Sequence, residues 1–200
     1  MLYILPLTYL GNTGYFTLLK QGNCIIDIYE NYVKQTYRNR CDILTAAGKV
    51  SLTVNVVKSG SMMKRPMCDM RIDYSKRWQH QHWMSILSAY KNSPYFGHYR
   101  DLFEPFYNKE FTFLADFNIG LLETVQTVLK MPHPTYSPSY VIPDSRMTDM
   151  RNEFNPGQMP LPQTTFHSYC QVFGDRLPFH PNLSIIDLLF CEGPNAINLL

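Results

Sequence analysis

Hydrophobic positions along this chain fall into three patterns, each predicting a different element. Leu2 to Leu7 is a short apolar run closed by turn-prone residues, which predicts a buried strand. Gly11, Asn12 and Gly14 then make a flexible turn into a helix from Tyr15 to Lys20. Cys24 to Tyr29 predicts a second strand. Tyr37 to Leu44 and Val50 to Val57 predict an antiparallel pair around a turn near Gly48, since Leu52, Val54 and Val56 alternate with Thr53 and Asn55. A further short strand is expected from Met67 to Ile72.

After Asp73 the period becomes helical. Ser75 is placed to cap a helix reaching about Tyr90, with Trp83, Ile86, Leu87 and Tyr90 on one stripe and Trp78, His82 and Ile86 on the next. A second helix is expected from Pro94 toward Tyr107. The third, about Phe111 to Lys130, carries Leu114, Phe117, Leu121, Leu122, Val125, Val128 and Leu129 at core-facing spacing, and Pro132 stops it. From 131 to 162 periodicity dissolves. Seven of the chain's 14 prolines lie there, predicting a long irregular loop. Phe166 to Phe173 is expected to return as a strand. Ser184 to Cys191 should form a closing helix whose Ser184 and Asp187 have the form of a capping box. The sum is an α/β fold, with α+β as the alternative: a mixed β-sheet from the N-terminal half, packed by helices from residues 75–130 and by a C-terminal helix. A chain of 200 residues fits one domain over 1–200.

Composition narrows the function. With 45% hydrophobic and 17% charged residues, global disorder is excluded. A net charge of +2 is too mild for a nucleic-acid binder, yet it is unevenly spread. Ten of the 18 basic side chains lie between Lys34 and Arg77 against three acids, which gives that segment about +7 and the rest about −5. Two readings stay open: a solvated sheet face, or an anion-binding surface for a phosphate or carboxylate. The five cysteines are odd in number and scattered, so they read as reduced thiols and suggest a cytoplasmic setting. No run approaches the ~18–20 apolar residues of a membrane span. Neither a cofactor nor an oligomeric state has a legible signature.

Several residues carry candidate chemistry. In Lys34-Gln35-Thr36-Tyr37-Arg38-Asn39-Arg40, a strand would send Arg38 and Arg40 to one face and Asn39 to the other, so two guanidinium forks could converge on one phosphate or carboxylate. The alternative is that an arginine pairs with a carboxylate such as Asp27 or Glu30 and ties strands together. The glycine-containing turn before the first helix offers free N–H groups to a phosphate, or is a plain structural turn. His80 and His82, two residues apart in a helix, point in different directions and make a poor metal chelate. His82 is either a hydrogen-bonded core residue or, if it opens onto a pocket, a general base. Asp116 and Asn118 flank the packed Phe117 and reach either neighbouring loops or a ligand.

The order of these segments resembles the WbqC-like family. The likeness rests on Tyr9 and Tyr15-Phe16, K-Q-T-Y-R-N-R-C from Lys34 to Cys41, and L-T-V from Leu52 to Val54. It continues with W-Q-H-Q-H-W-M-S-I at Trp78 to Ile86, A-Y-K-N-S-P-Y-F at Ala89 to Phe96, D-F-N at Asp116 to Asn118, and S-I-I-D-L-L-F-C-E-G at Ser184 to Gly193. Asn55 stands where the family's strand usually has proline. The resemblance implies a step in making or modifying an amino sugar of O-antigen or another cell-surface polysaccharide. The corresponding expectation is a group transferase, with acyl or aminoacyl transfer to a nucleotide- or lipid-linked sugar amine as one form. The alternative is a non-catalytic nucleotide-sugar-binding or scaffolding protein. For the transferase, His82 and Asp116 are the candidate proton relays. Lys34, Gln35, Arg38, Asn39 and Arg40 are candidates for holding the anionic part of a nucleotide sugar or other phosphorylated or carboxylated small molecule. Tyr9, Tyr15, Tyr90, Tyr95, Asn118 and Glu192 are candidates for packing the remainder.

Overall fold

The computed structural model describes residues 1–57, 65–157 and 166–200. Lys58 and Lys64 of the basic segment and the end of the proline-rich stretch lie outside the described residues. Strand β1 (Leu2–Pro6) leads through helix α1 (Thr13–Lys20) to β2 (Cys24–Asp27), which runs parallel to it with Tyr3 opposite Cys24 and Pro6 opposite Asp27. A parallel pair needs such a crossover. Next comes an antiparallel hairpin, β3 (Arg40–Thr45) and β4 (Gly48–Thr53), with Arg40 opposite Thr53. Its turn closes at Gly48, whose φ of +103° suits a residue without a Cβ. Helices α2 (Trp78–Tyr90), α3 (Phe96–Asn108) and α4 (Leu114–Leu129) follow, as the periodicity predicts. Leu114, Phe117, Leu121, Leu122, Val125 and Leu129 of α4 are buried, while Val128 is only partly so.

The sheet is completed from the stretch expected to be irregular. Strands β5 (Thr135–Tyr136) and β6 (Met147–Asp149) pair parallel with β2 and β1, giving the order β5-β2-β1-β6. These strands are two and three residues long, too short to display an alternation. Helix α5 (Ile185–Glu192) closes the chain and packs against β3 and α1. Observed and expected architecture agree: a parallel sheet and an antiparallel hairpin packed by helices, an α/β or α+β fold.

Several local expectations are corrected. Met67 to Ile72 is a short 3-10 turn, Met67–Asp69, followed by single bridges from Arg71 to Phe113 and from Ile72 to Val56. Ser75 does not cap α2, because the helix begins only at Trp78 with Arg77 in the N-cap position, while Ser75 sits in a tight turn with its N–H on Asp73 Oδ1. Helix α4 ends on Lys130 in the left-handed conformation, φ +53°, whose N–H bonds back to Thr127, so the chain turns before Pro132 is reached. No strand forms over residues 166–173. Ser184 is no capping-box partner either: its hydroxyl donates to the Leu10 carbonyl.

Candidate functional site

In parallel α/β sheets, ligands collect beyond the carboxyl ends of the strands, where loops diverge and backbone groups are free. Here that edge is charged. Asp27, the last residue of β2, is wholly buried. Its Oδ1 accepts from the Tyr29 N–H and the Ser137 hydroxyl, both at 3.0 Å. Its Oδ2 accepts from the Val141 N–H at 3.1 Å and from Arg151 Nη1 at 2.7 Å. Arg151 lies just past β6 and also grips Asp149, Nε to Oδ1 at 2.9 Å and Nη2 to Oδ2 at 2.6 Å. One guanidinium thus ties the ends of two strands that flank β1.

A second ion pair abuts the first. Arg38, 1% exposed, donates through Nε to Glu30 Oε1 at 2.9 Å and through Nη2 to Glu30 Oε2, a bidentate fork. Its Nη2 also donates to the Arg151 carbonyl at 2.9 Å, and Nη1 reaches the Thr36 hydroxyl. A cleft of about 200 Å³ opens against the two pairs, lined by Glu30, Arg38, Asp149 and Arg151 and edged by Asn31, Val33, Tyr140 and Asn152. Burial pushes the Glu30 carboxyl up to about 7 although the Arg38 guanidinium pulls it down. Hydrogen bonds from Arg151 hold Asp149 below the usual carboxylate range, and the same bonds raise Arg151. The cleft therefore sets a carboxyl that titrates near neutrality beside one that stays ionised.

The sequence model of the WbqC-like protein family matches residues 8–156. The chain belongs to this family. Comparison with curated proteins and with solved structures finds no match. The WbqC-like span takes in every residue that lines the cleft and ends before α5.

The structure disperses the other residues singled out from sequence. Arg38 lies in the turn before β3, where Gln35 takes a left-handed φ of +61°, so it does not share a strand face with Arg40. Arg40 opens β3 half-buried. Its Nε is buried with no hydrogen-bond partner among the described residues, and its charge is felt by Tyr32. Lys34, Gln35 and Asp116 are exposed. Asn39 and Asn118 are buried bracing residues: their side-chain amides donate to the carbonyls of Val54 and Arg38, at 2.9 and 2.8 Å.

Tyr9 and His82 meet each other, away from the cleft. The Tyr9 hydroxyl stands 3.0 Å from His82 Nδ1 and 2.8 Å from the Tyr107 hydroxyl, with Trp78 and Phe117 packed around them. Burial lowers His82 to about 4, so it is neutral at physiological pH. Tyr15 is buried and donates to the Pro6 carbonyl. Tyr90 donates to Asp187, a wholly buried carboxylate of α5 that also accepts from Tyr169 and Gln171. The Tyr95 ring lies over Gly193, where a Cβ would come within 2.3 Å of it. Half-buried Glu192 accepts from Asn195. The first turn of α1 is also closed to a phosphate. The Thr13 N–H goes to the Leu183 carbonyl, Gly14 to Asn182 Oδ1 and Tyr15 to Asn12 Oδ1.

Of the charged groups at the cleft, only Arg38 emerged from sequence as a ligand-binding candidate, with Asp27 and Glu30 named as pairing partners for an arginine. Asp149 and Arg151 were missed. The available signal was the spacing Asp-x-Arg in extended chain, which sends both side chains to one face. Among the described residues, no helix is long and apolar enough to cross a membrane. All five cysteines are free thiols.

Proposed function

We propose that this WbqC-like chain is a group transferase that modifies a sugar amine during cell-surface polysaccharide assembly, with the cleft as its acceptor site and Glu30 as its base. The observation that carries the reading is the Glu30–Arg38 pair at the wall of an open cleft beyond the carboxyl ends of parallel strands. A base acts best when its pKa lies near the working pH, and Glu30 at about 7 meets that condition. The amine lone pair attacks the acyl carbonyl and forms the C–N bond. The nitrogen's proton passes to Glu30, and the acyl leaving group departs with its bonding electrons. Arg38 positions Glu30 in this scheme and does not cradle a phosphate, because its fork is already occupied.

Incubating the purified protein with amino sugars, free or nucleotide-linked, and a panel of acyl and aminoacyl donors tests this directly. Glu30→Gln should keep its fold and lose about 10²- to 10⁴-fold in transfer rate. Undiminished transfer by that variant would sink the assignment. One observation favours the rival, a nucleotide-sugar-binding or scaffolding protein: both cleft guanidiniums are already satisfied by carboxylates, as in a purely structural tie. A tight nucleotide-sugar complex without turnover would support it.

A further inference from the structure

The cleft has an aromatic edge whose two faces are in different states. Tyr140 sits 4.6 Å over the Arg151 guanidinium, measured to the ring centroid. That guanidinium cannot swing away, because Asp149, Asp27 and the Val141 carbonyl hold it by four hydrogen bonds. The Val141 N–H is itself fastened to Asp27, so the backbone next to Tyr140 is pinned as well. One face of the ring is therefore clamped from below, and the residue as a whole remains 51% exposed. A rigid aromatic surface turned to solvent at the mouth of a polar cleft offers area at little entropic cost on binding.

Polar groups able to pair with hydroxyls line the cleft beside it. Asn31 and Asn152 present side-chain amides that make no hydrogen bond among the described residues, and Asp149 presents a carboxylate whose side chain is 35% exposed. Amides and carboxylates offer the donors and acceptors that vicinal hydroxyls need. An aromatic face takes up the C–H face of a ring. Size narrows the occupant further. Pockets for whole drug-sized ligands run to about 300–1,000 Å³. A cleft of about 200 Å³ holds a single ring-sized unit and leaves the rest of a larger ligand outside.

We infer that Tyr140 is the stacking platform for one pyranose ring, held between the tyrosine face and the Asn31, Asn152 and Asp149 side chains, which makes Tyr140 the specificity-determining residue of the site. The inference rests on the cleft being the acceptor site. It adds which part of the acceptor enters, and it leaves any nucleotide or lipid portion outside the cleft.

The intact protein and its Tyr140→Phe and Tyr140→Ala variants test this with glucosamine as the probe, by saturation-transfer NMR and a titrated Kd. Tyr140 makes no hydrogen bond among the described residues, so Tyr140→Phe should share the parent's thermal midpoint, while Tyr140→Ala loses the stacking on Arg151 and should melt slightly lower yet stay folded at the temperature of the titration. Saturation should reach the sugar ring protons. Tyr140→Phe should bind within about twofold of the parent, and Tyr140→Ala about tenfold more weakly. Equal binding by Tyr140→Ala and the parent overturns the inference. So does Tyr140-dependent binding of uridine monophosphate in place of glucosamine. Glu30→Gln separates the two proposals: if it binds glucosamine normally and still transfers at full rate, the base is misassigned and the platform stands.

Discussion

At the cleft, Asp27, Glu30, Arg38 and Arg151 are buried, charged and joined in pairs that open on solvent along one side. Around His82, the phenols of Tyr9 and Tyr107 and a neutral imidazole are equally buried but share no charge and line no part of that cleft. From sequence, His82 carries two readings, a hydrogen-bonded core residue or, if it opens onto a pocket, a general base. Its burial among aromatic rings is the setting of the first reading. A neutral network packed between aromatic rings can be satisfied completely and left closed, and it then specifies a core. Charges withdrawn from water stay costly even when paired, so an arrangement of four of them beside an opening calls for a reason beyond stability.

The comparison can be broken most sharply at Arg151. Arg151→Ala leaves Asp27 buried without its cation, and the expected loss is about 3–5 kcal/mol, read as a lowered urea midpoint. A loss under about 1 kcal/mol would show that the network does not hold the ends of β2 and β6 together.

Titration sharpens the contrast, because the two systems depend on pH in opposite senses. His82 falls from an ordinary 6.5 to about 4 on folding, so the unfolded chain binds its proton more tightly. Its contribution is present above 6.5 and is lost as pH falls toward 4. Glu30 rises from 4.5 to about 7, so the folded chain binds its proton more tightly. Its contribution is present below 4.5 and is lost as pH rises through 7. Each amounts to about 3 kcal/mol across its window, and between pH 4.5 and 6.5 they offset one another. Glu30→Gln should therefore show stability climbing with pH from 4 to 6.5, whereas His82→Asn should show it declining from 4.5 to 7. Parallel pH profiles for the two variants would remove the distinction.

The smallest effect is expected at Asp116, which belongs to neither system. It is exposed in the first turn of α4, where a carboxylate meets the positive end of the helix, so Asp116→Ala should cost about 0.3–1 kcal/mol and leave sugar transfer unchanged. A large loss of transfer would return it to the site.

Most of the scaffold was legible because it repeats. The stripe on α4 extends over enough residues to declare a period, and the apolar runs of β1 and β2 stand out without one, whereas the alternation of Leu52, Val54 and Val56 runs past the end of β4 at Thr53. The cleft does not repeat. Glu30 and Arg38 are eight positions apart across a turn set by the positive φ of Gln35, and no pattern announces that backbone. Strands β5 and β6 owe their extended form to neighbours distant in sequence, not to any alternation of their own. Arg38 stands out in sequence with two readings, a fork converging on an anion or a tie to a carboxylate such as Asp27 or Glu30. Its partner was among the alternatives weighed, but choosing between a bound anion and Glu30 requires coordinates.

The pairing of Asp27 with Arg151 spans 124 positions. On a ribosome, β1 and β2 would emerge early and wait with both outer edges unpaired until the last third of the chain is made. Exposed edges of that kind recruit other chains, and late pairings of this range slow folding. A chain cut before residue 131 should accordingly aggregate. Capture of a small ligand in the cleft would then serve as a reporter that synthesis and folding have run to completion.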